Sequence, residues 1–272
     1  MTTSVAGHTL DVADARLHYE VRGRGPLVVL VGAPMGAQDF APLAELLAAD
    51  RTVVTTDPRG HGRSALADPD SDSTPEARGA DLAALITHLG IGPAVVFGSS
   101  GGAVSALALA QRSPDLVTTV VAHEPPLIDV LADREELYRG TRELVRAHRS
   151  GDGVGAWRMF FAQAGIEMPE DVLTEMFGPN RDPALLADER YWFEHEILGT
   201  VSFEPDVAAL NAAPTRIVVG LGAESSGQLC ERTCHALAYR LGLEPMIFPG
   251  GHTGFLDDPA AFAPRLREVL RG

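Results

Sequence analysis

The sequence contains no lysine, and all 22 of its basic side chains are arginine. That absence excludes Schiff-base chemistry and a lysine-anchored pyridoxal cofactor. Thiols are almost as scarce: Cys230 and Cys234 stand alone, four apart in a segment of helical pattern. Two such cysteines are expected to face the core rather than hold a metal, which would want further ligands nearby, so no metal is expected. Positive charge is in deficit, with a formal net charge of −15 at pH 7. A surface of that sign repels nucleic acid and anionic membrane alike, and the expected partner is a neutral or weakly polar small-molecule substrate. Long apolar runs are missing too. Nothing reaches the length of a bilayer span, and residues 1–8 lack a basic region followed by an apolar stretch, so a cytoplasmic protein is expected. Aromatic residues make up 6% of a chain that is 45% hydrophobic, which describes a globular core built on Ala, Val and Leu. Self-association into a homo-oligomer stays open.

What is present is an alternation of strand and helix patterns, which at 272 residues suits one large α/β domain with an insertion. Segments 8–12 and 16–21 alternate polar and apolar residues and predict an antiparallel hairpin at a sheet edge. Leu27–Val31 and Thr52–Thr56 read as strands covered on both faces, and further strands are predicted at 94–97, 117–122, 216–220 and Met246–Phe248. Helices are predicted at 40–49, from Thr74-Pro75-Glu76 through Leu89, after residue 100, up to Leu241 and from Asp258. From Leu127 the rhythm stops, and four helical patterns occupy about 133–149, 153–164, 170–177 and 183–198. A helical cap, 127–203, is therefore predicted between two pieces of one core, 1–126 and 204–272. Both tryptophans and many of the Phe and Met residues concentrate there. Trp157, Phe160 and Trp192 are candidates to line a substrate pocket, with packing of cap onto core as the alternative.

One stretch carries the chemistry. Ala94 to Phe97 is a β-type run, Gly98-Ser99-Ser100-Gly101-Gly102 a cramped turn, and residues 103–110 are rich in Ala and Leu. Strand, sharp turn and helix form the context that G-x-S-x-G requires, with small residues at 98 and 102 letting strand and helix approach. Ser100 is the candidate nucleophile. Its helix starts at the next residue, so the Gly101 amide points at whatever Ser100 attacks. A second oxyanion donor is expected in the turn after Leu27–Val31. Pro34 has no N–H, which leaves Ala33, while Met35 either lines the acyl pocket or packs. His61 lies in the Gly- and Pro-rich loop 57–64 and is read as structural. Glycines on both sides of His252, in Gly250-Gly251-His252-Thr253-Gly254, free its loop to bring an imidazole over the sheet edge.

With these segments in this order, the chain resembles the α/β-hydrolase family over nearly its whole length. The resemblance implies a mostly parallel eight-stranded sheet with helices on both faces and a helical cap inserted after the sixth strand. It also implies Ser100 as nucleophile, His252 as general base and then acid, and Ala33 and Gly101 as the oxyanion amides. Where the family usually has His-Gly before the oxyanion residue, this chain has Val31-Gly32. For the acid there are two candidates. Glu224 follows the strand that usually carries it in the family. Glu124 follows the preceding strand in His123-Glu124-Pro125-Pro126, which looks like the His-Glu-x-Pro setting of zearalenone lactonases, whose elbow is also similar to Ser99-Ser100-Gly101-Gly102. Glu124 is preferred and Glu224 remains the alternative. The resemblance implies a cofactor-independent serine hydrolase for an ester or lactone of small to medium, largely apolar character. Carbon–carbon bond hydrolysis, cofactor-free haloperoxidase-like perhydrolysis and a non-catalytic ligand-binding homologue are the alternatives, whereas the aspartate nucleophile of epoxide hydrolases and dehalogenases is not matched by serine at 100.

Overall fold

The computed structural model describes residues 5–271, so the part of the leader reading that concerns residues 1–4 lies outside the described residues. Its strands are β1 (Ala6–Asp11), β2 (Ala15–Arg22), β3 (Leu27–Val31), β4 (Thr52–Thr56), β5 (Ala65–Leu66), β6 (Ala94–Ser99), β7 (Val117–His123), β8 (Arg216–Gly222) and β9 (Met246–Phe248). All eight predicted strands are present. The ninth, β5, pairs with β2 and is two residues long, too short to leave a pattern in sequence.

The sheet runs in the order β1-β2-β4-β3-β6-β7-β8-β9. β1, β2 and β4 pair antiparallel, and every pairing from β4 to β9 is parallel. Parallel strands need both faces covered, and β3 and β4 are buried along their whole length. Alternate residues of each strand point to opposite faces. Val29, Val31, Val96, Val120 and Val219 accordingly join a core with helices Pro75–Leu89 and Gly101–Arg112. Val28, Leu30, Phe97, Val121 and Val218 join a second core, with helices Ala41–Leu47 and Pro259–Leu270. Phe97 meets Phe40, Phe255 and Phe262 there in edge-to-face contacts.

Between β7 and β8 the chain runs through helices Arg134–Arg149, Gly153–Ala164, Glu170–Phe177, Pro183–Tyr191, Ile197–Val201 and Val207–Ala212. The helix predicted at 183–198 is interrupted by a π-turn, Trp192–Glu196. No helix of the described residues is long and apolar enough to cross a membrane.

Register positions the site. Val31 is level with Gly98, Ser99 with His123, and His123 with Gly220. The carboxyl ends of β3, β6, β7 and β8 therefore finish along one edge, where ligands bind in open parallel sheets. Ala33, Ser100, Glu124 and the loop after β9 all project from that edge.

Candidate active site

Ser100 has φ 55° and ψ −126°, a conformation costly for a side chain and held only because its surroundings dictate it. The glycines around it leave no alternative. A Cβ on Gly98 would stand 2.3 Å from the Gly102 carbonyl oxygen, and one on Gly102 would stand 2.2 Å from that of Val31. The Ser100 amide donates to the His123 carbonyl at 3.0 Å, fixing the turn to β7. Gly101 sits against Ala33, where a Cβ would meet the Ala33 oxygen at 2.6 Å. Neither the Ala33 nor the Gly101 amide donates to a protein acceptor among the described residues. Two uncommitted N–H groups beside a serine hydroxyl can receive a developing oxyanion, with the helix dipole of Gly101–Arg112 adding to them.

The imidazole arrives from the loop after β9. His252 Nδ1 donates to Glu124 Oε2 at 2.7 Å, across 128 residues of sequence. Glu124 is itself in the left-handed region at φ 49° and fully buried, and its Oε1 accepts the Gly222 N–H at 2.8 Å. Burial alone would raise the Glu124 pKa, but the hydrogen bond and charge of His252 outweigh it and hold it down at about 2. Burial likewise works against the His252 imidazolium. The Cys230 sulfur and the Glu124 carboxylate outweigh it, and the His252 pKa moves upward. Glu224 is exposed, and its carboxylate makes no hydrogen bond among the described residues. The structure thus brings Glu124, not Glu224, to His252.

Ser100, Gly101, Ala33 and His252 line one cavity of about 380 Å³ whose wall is otherwise mostly apolar, including Phe160, Met168, Met176 and Trp192. Among the hydrogen bonds of the described residues, none joins Ser100 directly to His252. Catalytic hydrogen bonds are commonly long without substrate and tighten in the complex. Met35 and Trp157 are elsewhere: they line a neighbouring, more polar cavity of about 680 Å³ with Asp39, Arg63 and Arg181. Of the four expected pocket residues, Phe160 and Trp192 face the serine cavity, Trp192 lines both, and the other two are corrected to the second. The cause is side-chain direction: Trp157 stacks on Trp192 at 5.1 Å and donates to Glu189, which turns it away from Ser100.

Other titratable groups at the sheet edge serve packing. His61 is buried, with Nε2 at 3.0 Å from Glu196 Oε2. His123 is enclosed by Phe97, Phe248, Phe255 and Phe262, and burial lowers its pKa to about 4, so it stays neutral. The two cysteines part company. Cys234 is buried with Sγ on the Gly220 carbonyl, whereas Cys230 lines the serine cavity, against the expectation that both face the core. Its only sequence signal is its place just after the β8 turn.

The alpha/beta hydrolase family model matches residues 27–265. The chain belongs to that family. As an alpha/beta hydrolase it is 35% identical over 269 residues to the uncharacterized hydrolase YraK of Bacillus subtilis, an alignment spanning 96% of this chain and 95% of that one. Among solved structures, an alpha/beta hydrolase from Sphaerobacter thermophilus superposes with a TM-score of 0.70 at 28% identity, covering 97% of this chain and 100% of the other. A thermophilic esterase from Thermogutta terrifontis shares the fold with a TM-score of 0.74 at 21% identity, over 99% and 98% of the two chains. The protein is a hydrolase of this family.

Proposed function

We propose that this hydrolase cleaves an ester or lactone of small to medium size and largely apolar character through an acyl-serine intermediate, without a cofactor. The observation that carries the reading is the single cavity holding Ser100 in its strained turn, two free amides, and an imidazole whose far nitrogen is engaged by a buried glutamate. Ser100 Oγ attacks the substrate carbonyl carbon as its proton passes to His252 Nε2. The carbonyl oxygen becomes an oxyanion held by the N–H groups of Ala33 and Gly101, each such donor contributing about 3 kcal/mol to the transition state. Collapse expels the alcohol oxygen, which takes the proton from Nε2 and leaves acyl-Ser100. Water then loses a proton to His252 Nε2 and attacks the acyl carbon; collapse breaks the bond to Ser100 Oγ, which takes that proton back from Nε2, and the acid leaves. Throughout, Glu124 keeps the remaining imidazole proton on Nδ1. Phe160, Met168, Met176 and Trp192 favour an apolar acyl or lactone ring over a charged one.

A fluorophosphonate probe tests the chemistry, and p-nitrophenyl esters of graded chain length with a set of lactones, macrolactones included, test the substrate class. Stoichiometric modification of Ser100, lost when His252 is replaced, supports the mechanism. Folded protein that takes no label and cleaves none of these compounds refutes it.

A further inference from the structure

We propose that Cys230, His252 and Glu124 form a site for one Zn²⁺ ion that holds the enzyme inactive, a regulation resting on the reading of His252 as the base. The Cys230 sulfur, one His252 ring nitrogen and one Glu124 carboxylate oxygen all lie within 4.8 Å of one another. Thiolate, imidazole and carboxylate are the three donor types that zinc takes, and three protein ligands plus a water complete its tetrahedron. At ordinary zinc bond lengths such donors stand about 3.3 to 3.6 Å apart, so side-chain shifts of about 1 Å close the sphere.

The ligands have three independent anchors. Glu124 is fixed by the Gly222 amide, Cys230 by the first turn of helix Leu229–Leu241, and His252 by the loop after β9. Only one of the two thiols qualifies. Cys234, one turn further on, is buried against Gly220 and lies outside the cluster. Cys230 and His252 are partly exposed to the cavity, which gives an ion a route in, and a net charge of −15 raises the local concentration of cations.

Binding silences catalysis whichever ring nitrogen the ion takes. At Nε2 it occupies the lone pair that accepts the serine proton. At Nδ1 it displaces the ring proton to Nε2, which then has no lone pair to offer. Cys230 binds the ion as its thiolate, and the thiol proton passes to solvent on loading. No oxidant or further reactant is needed.

The test uses full-length protein and Zn²⁺ alone. Calorimetry on Ser100→Ala, which cannot turn over, is expected to show one ion per chain. Adding Cys230→Ala is expected to weaken binding by more than the roughly 10–100-fold that losing a merely supporting group costs. Should the alanine variant fold poorly, Cys230→Ser serves, and loss of the Zn²⁺-induced rise in Tm gives the same readout. Wild-type hydrolysis falls on titration with Zn²⁺ and returns with EDTA, while the Cys230 variant, compared with its own metal-free rate, resists. Absence of one-to-one binding to Ser100→Ala, or binding indifferent to residue 230, overturns the proposal. Cys230-dependent binding by a protein that hydrolyses no ester keeps the metal site and instead overturns the proposed function.

Discussion

Gly222 makes room for Glu124: its amide donates to Glu124 Oε1 at 2.8 Å, and a Cβ at that position would stand 2.9 Å from the same oxygen. The carboxylate is thereby held with its other oxygen on His252. Replacing Glu124 with Gln is expected to lower kcat by about 10⁴-fold, because an amide facing Nδ1 no longer stabilises the imidazolium or its tautomer. Glu224→Gln leaves kcat essentially unchanged. Gly222→Ala, which must displace Glu124 or the carbonyls of Gly250 and Gly251 at 2.8 Å, falls towards the Glu124 variant. Steady-state kinetics on the three proteins decide it, and a Glu224 variant that alone collapses reverses the assignment.

The pH profile is set by the same pair. Only neutral His252 accepts the serine proton, so kcat/KM rises with pH as the imidazolium is lost. The His252 pKa lies above its ordinary value of 6.5, so the limb is expected on the alkaline side of that value. Glu124→Gln removes the negative charge that favours the imidazolium, and whatever activity remains has its limb moved towards lower pH. A limb that stays put, or moves up, contradicts the electrostatic role of Glu124. Plots of kcat/KM against pH for both proteins are the measurement.

Local spacing made part of this site readable. The glycines at 98 and 102 flank Ser100 within one turn, and strands β3 and β4 declare their burial through unbroken apolar or β-branched runs. The choice between two glutamates did not lie in local pattern. It depends on β7 and β8 being aligned so that Glu124 ends beside Gly222, a relation between residues 98 apart. Met35 and Trp157 were misplaced for a similar reason, since composition says a helical segment carries aromatics but not which cavity each one faces. Nor does helical periodicity show that Cys230 and Cys234, one turn apart, divide between cavity and core, or that one added residue per turn at Trp192–Glu196 breaks the long helix predicted there.

The elbow glycines should be intolerant of even one methyl group. Gly98→Ala and Gly102→Ala drive a Cβ to 2.3 Å and 2.2 Å from backbone oxygens, which cannot rotate away as a side chain would. Each is expected to cost about 3 kcal/mol or more, at the upper end for overpacking, and to abolish activity with it. Urea unfolding reports the first effect and fluorophosphonate labelling the second. A stable, fully labelled Gly98→Ala protein would mean the turn is not under the constraint its geometry describes.

Arg78 and Glu196 hold the π-turn against the core, and their charges test differently when removed singly or together. Both side chains are buried: Glu196 Oε2 lies 3.5 Å from Arg78 Nη1 and 3.0 Å from His61 Nε2, while Arg78 also donates to Ser105 and Thr200 at 2.8 Å and to Ser73. Taking one charge away leaves the other without its partner in a medium that cannot solvate it. Glu196→Leu or Arg78→Met alone is therefore expected to lose about 3–5 kcal/mol by urea unfolding. The double variant leaves no such orphan and is expected to lose much less than the two singles added, a positive coupling in the double-mutant cycle. Because Trp192 opens this π-turn and walls the serine cavity, the single variants should also raise KM for long-chain esters more than they lower kcat. Additive stability losses with unchanged KM would show that the pair neither shares its charge burial nor shapes the cavity wall.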